Sequence, residues 1–271
     1  MSNTKTAGRV LPVGAMGLAL LLGACDAESE PGEATLRITT YGESYIEERI
    51  PADVLVDGWE LELSRFLVAI RDIEVDGEPL PGSFVVDLRS PSMGEGHELG
   101  ELLVPAGGSP LVDFRIGPVT EAEPVATTQE VALMMINEGH SLVVEGQARR
   151  DGQTIDFAWS FDNDTLYHGC QSTAELVDGG EAESQLTIHA DHLFYDDLDS
   201  PEPNVAFDLV AAADGNADGV VTMDELAAVD ITGQSRYQVG SRDIGDLWGF
   251  IEAQTSTLGH IDGEGHCEAA P

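Results

Sequence analysis

From about residue 34 to residue 194, large apolar residues recur at every second position, and this period constrains the fold more than any other feature of the chain. In "ATLRITTY" (34–41), Leu36 and Ile38 share one face while Arg37 and Thr39 take the other. "FVVDL" (84–88) aligns Phe84, Val86 and Leu88, and "VDFRI" (112–116) aligns Val112, Phe114 and Ile116. "TIDFAWSF" (154–161) puts Ile155, Phe157, Trp159 and Phe161 on a single face. Successive side chains of a strand point to opposite faces, so such stretches bury one face and solvate the other, as antiparallel strands do. Asp76-Gly77, Pro81-Gly82, Gly107-Gly108 and Asp151-Gly152 punctuate them as turns. The last of these predicts a hairpin between "SLVVEGQARR" and "QTIDFAWSF". The run "LELSRFLVAIRDIEV" (61–75) changes apolar register between Leu63 and Phe66, and again between Ile70 and Ile73. That predicts bulges, or a strand passing from one sheet to another. Residues 34–199 are therefore expected to be mainly β, as an antiparallel β-sandwich.

After residue 200 the period lengthens. "NVAFDLVAAA" (204–213) predicts a helix capped by Asn204, and "MDELAAVD" (223–230) predicts a second. "DIGDLWGFIEAQTSTL" (243–258) places Ile244, Leu247, Trp248 and Ile251 on one helical face, with Ser241 as its cap. Residues 200–271 are thus expected to form a small helical region packed on the β-domain.

Between the first two of these helices lies "DGNADGVVTMDE" (214–225), which resembles the EF-hand calcium loop. A hard cation takes six to eight oxygens, so alternate residues of a tight loop must turn inward. Asp214, Asn216 and Asp218 stand at positions 1, 3 and 5, and Gly219 at the sharp turn. Val220 offers a carbonyl at position 7, Thr222 stands at position 9 and Glu225 at the bidentate position 12. The resemblance implies one Ca²⁺, held by Asp214, Asn216, Asp218, Val220, Thr222 and Glu225 in a structural role. Thr222 and Glu225 also spell a capping box, which accounts for both residues without a metal. A partner hand is not found; "DIEVDGEPLPGS" (72–83) has Pro79 and Ser83 where a loop needs other residues, and reads as a hairpin turn.

The first 25 residues read differently. Lys5 and Arg9 precede the apolar run "LPVGAMGLALLLGAC", which is too short for a stop-transfer helix and has the order of a secretory signal. Its ending resembles the bacterial lipobox, implying cleavage before Cys25 and lipidation of that thiol, with an acidic linker over 26–33. The expected location is outside the cytoplasm, anchored to a bacterial cell membrane and facing the periplasm or the surface. Export leaves Cys170 and Cys267 as an even pair, most simply a disulfide. The layout also resembles uncharacterised acidic lipoproteins of Gram-negative bacteria such as myxobacteria.

Charge narrows the partners. The chain carries 50 Asp and Glu against 12 Lys and Arg, a formal −38. Its one lysine, Lys5, belongs to the expected signal. A mature chain without lysine has no Schiff base, phosphate-loop lysine or Ser-Lys dyad. The negative field repels nucleic acid and anionic headgroups and concentrates cations.

Five of the seven histidines follow residue 165. "YHGC" and "GHIDGEGHC" set His168, His260 and His266 beside the two cysteines, so a disulfide would gather them into a possible second metal site for copper or zinc. These fragments resemble the MbnP-like copper-handling family of exported proteins, with two mature cysteines where the family pattern has four. In "HADH", His189 and His192 would point to opposite faces of a strand, and chelate only if the strand ends there. No catalytic signature appears: there is no G-x-S-x-G, and "HELGE" (97–101) is not H-E-x-x-H. The expected function is a calcium-binding structural or binding module, with copper or zinc handling as the alternative and an unrecognised hydrolase third.

Overall fold

The computed structural model describes Met1, Ser2, Thr4 and residues 32–271. The expected lipidation site Cys25, the apolar run before it and most of the expected linker lie outside the described residues. The described chain is mainly β. Its strands are β1 (Glu33–Tyr41), β2 (Glu60–Val75), β3 (Glu78–Pro79), β4 (Phe84–Asp87), β5 (His97–Pro105), β6 (Leu111–Ile116) and β7 (Glu123–Val125). These are followed by β8 (Leu142–Arg150), β9 (Gln153–Phe161), β10 (Thr165–Gln171), β11 (Glu181–Ile188), β12 (Val220–Val221), β13 (Gly259–Ile261) and β14 (Glu268–Ala270). The helices are short: α1 (Glu43–Glu47), α2 (Gln129–Glu138), α3 (Asp208–Ala212), α4 (Met223–Ala227) and α5 (Leu247–Gln254). Among the described residues no helix is long and apolar enough to cross a membrane.

The strands form two sheets. One runs β13-β11-β1-β5; the other runs β12-β9-β8-β2-β6-β10-β14, with β3, β4 and β7 attached at its side. Their apolar faces meet in a common core. Leu36 and Ile38 of β1 lie there with Phe66 of β2, Phe114 of β6, Trp159 and Phe161 of β9 and Tyr167 of β10, each almost fully excluded from water. Phe114 stacks on Tyr167 at 4.9 Å and Phe157 on Trp159 at 4.7 Å, so the alternation read in the sequence is the face that makes this core.

β2 realises both register changes. Its pairing shifts between Leu63 and Arg65 against β8, and between Arg71 and Glu74 against β6. Asp72 takes a left-handed φ of 51° at the second break, which lets Ile70 and Ile73 both point inward. The 151–152 hairpin joins β8 to β9 with both turn residues at positive φ, 50° for Asp151 and 82° for Gly152, the geometry a two-residue loop requires.

Three expectations need correction. Not every pair is antiparallel: β1 and β11 run parallel, as do β4 with β7 and β12 with β9. Period-two patterning specifies which face is buried but not the direction of the neighbour. Nor is 200–271 a helical region of its own. Its helices span five to eight residues, and β12, β13 and β14 add to the two sheets. The capping residues also differ. Asn204 donates to Asp196 and is not a cap; the α3 entrance is satisfied by Asp57, whose carboxylate accepts the N–H groups of Phe207 (2.6 Å) and Asp208 (2.7 Å). α5 is capped by Asp246, which accepts from Gly249 N–H at 2.9 Å, while Ser241 lies outside the helix.

Candidate metal centre

The parallel pairing of β1 with β11 makes both strands leave the sheet at the same edge. Glu43 follows β1 there, and His189 follows β11. β13 runs antiparallel to β11 on its other side, placing His260 opposite Thr187, while the His189 N–H donates to the Leu258 carbonyl at 3.0 Å. Three chain segments thus converge at one corner.

The strand ends at Ile188, and Asp191–Phe194 form a three-ten turn. Leu193 and Phe194 are buried in the core and anchor it. The chain turns between the end of β11 and this three-ten segment, so His189 and His192 come to one side with ring centroids 5.1 Å apart and an interplanar angle of 26°. This meets the condition on which "HADH" could chelate. His260 completes the group at 4.4 Å from the His189 ring and 5.2 Å from the His192 ring.

Two sets of potential ligand atoms each lie within 4.8 Å of one another: His189, Asp191 and His192, and His189, His260 and Glu264. Four of these five residues are interior, with exposures of 5% for His189, 8% for Asp191, 8% for His192 and 9% for His260. His192 Nδ1 lies 2.7 Å from the Thr257 carbonyl, so Nδ1 carries the proton and Nε2 keeps its lone pair. His189 has Nδ1 3.4 Å from Glu43 and Nε2 3.3 Å from the Gly263 carbonyl. Asp191 accepts from the Tyr195 hydroxyl through Oδ2 at 3.2 Å. Among the described residues its Oδ1 is buried without a partner, and so is Nδ1 of His260. Leaving two such atoms unpaired costs about 1–3 kcal/mol each, a cost a metal–ligand bond would remove.

Burial sets the protonation states. Desolvation first, then the neighbouring imidazoles, pushes His192 and His260 down to about 4, so both are neutral near pH 7. Desolvation raises the Asp191 and Glu43 carboxyls, with His189 pulling each the other way. Neutral imidazoles beside desolvated carboxyls are the donor set a divalent transition ion requires, and such an ion would favour the ionised carboxylates.

Of the histidines singled out in the sequence, His260 and His266 come to this corner, their rings 5.6 Å apart. His168 is not in the group. It stands on β10, opposite Glu268 of β14, with its Nε2 3.9 Å from that carboxylate. The cysteines do pair: Cys170 and Cys267 form a disulfide with Cα atoms 4.4 Å apart. The partners missed were Glu43, Tyr195 and Glu264. Only Glu264 carried a signal, standing between two histidines in "GHIDGEGHC".

The 214–225 loop has its own geometry. Asp214 accepts from the N–H groups of Asp218 (3.1 Å) and Gly219 (3.0 Å), and Asn216 accepts from Asp218 N–H at 2.8 Å. Asp218 turns to Val220 N–H at 2.9 Å. Gly219 has φ 83°, the left-handed value that the turn needs. Thr222 and Glu225 form the capping box of α4. The Glu225 carboxyl is held below its usual range, first by Thr222 and further by the N–H groups of Asn216 and Gly215. The three carboxylates Asp214, Asp218 and Glu225 are not among the groups drawn within 4.8 Å. β12 fastens the loop by pairing with Asp156 and Phe157 of β9, and the Trp159 indole N–H donates to the Val221 carbonyl at 3.1 Å.

Compared with known proteins, the chain matches no family model, no curated protein and no solved structure.

Proposed function

We propose that this protein is an exported, lipid-anchored metal-binding protein built on a β-sandwich, which holds a divalent transition-metal ion, zinc or copper, between His189, His192 and His260. The observation that carries this reading is the convergence of three buried imidazoles, with ring centroids 4.4–5.2 Å apart, on a corner where Asp191 Oδ1 and His260 Nδ1 have no partner among the described residues. Imidazole and carboxylate donors without thiolate or thioether suit zinc and copper(II) over softer ions. Asp191 and Glu264 are the available carboxylates. The ligand set expected from sequence thus changes: His260 stays, His189 and His192 enter, and His168 leaves. Calorimetric titration of the metal-stripped full chain tests the reading. One Zn²⁺ or Cu²⁺ is expected to bind per chain, and His260→Ala to weaken it by about 100-fold. Unchanged affinity in that variant overturns the assignment.

A second site, for Ca²⁺ at 214–225, is supported by the order of Asp214, Asn216, Asp218 and Glu225 with Gly219 at a left-handed φ of 83°. Extracellular calcium would keep even a weak loop filled, so its part is structural.

A further inference from the structure

The histidine corner is not sealed. A cleft of about 360 Å³ runs beside it, bordered by His192, His260, Glu264 and His266 of the corner and by Tyr195 and Gln254 beyond. His189 and Asp191 do not border the cleft, so the corner has an inner side and a cleft side. His266 differs from the other imidazoles here. It is exposed, it lies 5.6 Å from the His260 ring, and it is not in either tight group. Its chain position is nonetheless fixed. Next to it Cys267 is bound to Cys170, and on its other side Gly265 exchanges two backbone hydrogen bonds of 2.9 Å with Ile261. Asp262 anchors the loop further, accepting from Ser172, Thr173 and Gln185. A tethered backbone with a free imidazole at the mouth of a metal corner is the arrangement of a ligand that can come and go.

Resting on the proposed metal reading, we propose that the cleft side is an exchange position for the ion, filled by a neutral nitrogen donor. His266 fills it at rest, and an incoming imidazole-type donor takes its place when the metal is passed on. Neutrality follows from the surroundings. Asp191 and Glu264 already face the site, Asp197 borders the cleft, and the chain as a whole carries −38. An incoming anion meets that field; a neutral donor does not.

Cobalt(II), whose visible bands report its coordination, tests this in the full chain. In His266→Ala the ion is expected to stay bound with about tenfold weaker affinity and altered bands, because the three inner histidines remain. Added imidazole should restore the wild-type spectrum and slow transfer to a chelator, while azide should need at least about tenfold more to change it. His266→Gln, which keeps a polar side chain of similar reach without an imidazole, should behave as the alanine variant does. Identical bands in wild type and His266→Ala overturn the proposal, as does a response to azide at lower concentration than to imidazole. Failure of cobalt, zinc and copper(II) alike to bind the wild type overturns the metal reading itself, a separate result from binding without exchange.

Discussion

At the scale of single residues, the corner balances two opposed titrations. His192 and His260 are held at about 4 in the fold, against about 6.5 in an unfolded chain. Between those values the unfolded state binds more protons, so their contribution to stability is complete above pH 6.5 and is lost as pH falls toward 4. Asp191 and Glu43 act the other way, since their raised carboxyls take up a proton more readily in the fold. The metal-free protein is therefore expected to lose melting temperature from pH 7 to pH 4 more steeply than His192→Gln/His260→Gln. The slope difference is at most about 1.4 kcal/mol per pH unit for each histidine. Parallel melting curves with EDTA across that range would show that neither imidazole is desolvated. Part of this corner was readable in advance. "HADH" and "GHIDGEGHC" contain its four histidines together with Asp191 and Glu264, but their meeting depends on the end of β11 at Ile188 and the turn over Asp191–Phe194, which no apolar period announces. Glu43 was unreadable because its approach comes from strand pairing 140 or more residues away in sequence.

At the scale of elements, the 214–225 loop joins a cap to a candidate cation site. Thr222 and Glu225 already stabilise α4, so calcium would strengthen an order that exists without it. With calcium at a hundredfold excess over its dissociation constant the gain is about 2.7 kcal/mol. EGTA is accordingly expected to lower the melting temperature of the full chain, with recovery on Ca²⁺ but not Zn²⁺, and Asp214→Ala should abolish that response. An EGTA-insensitive wild type leaves the loop as a capping turn only. The capping box of α4 was legible because Thr222 and Glu225 are three residues apart. The cap of α3 was not, for Asp57 reaches Phe207 and Asp208 across 150 residues, and local spacing pointed to Asn204. α2 was announced by no apolar alternation, although its cap is local. Thr128 caps it by accepting from Val131 N–H at 3.3 Å. Its Ala132 and Met135 sit in a small separate cluster with Leu67, Val85 and Val143, on the face of the sheet away from the main core.

At the scale of the whole molecule, the question is what holds the corner together. The disulfide closes a separation of 97 residues and joins the C-terminal strand to β10, which β14 also pairs. Pairing of the two cysteines was readable from parity and the expectation of export, whereas the partner strands were not, because direction and order of strands leave no mark on period-two patterning. The three inner histidines depend on other contacts. His189 and His192 belong to the end of β11 and the turn after it, and His260 sits in register on β13 against Thr187. The residues nearest the disulfide are the outer ones, with His266 adjacent to Cys267. Cys170→Ala/Cys267→Ala is therefore expected to lose about 2–4 kcal/mol in denaturant unfolding while still binding zinc within about tenfold of wild type. It should also lose the cobalt band change that separates wild type from His266→Ala, since an untethered His266 no longer rests at the cleft. Complete loss of zinc binding by a folded double variant would place the hold on the imidazoles in the C-terminal clasp and not in the pairing of β11 with β13.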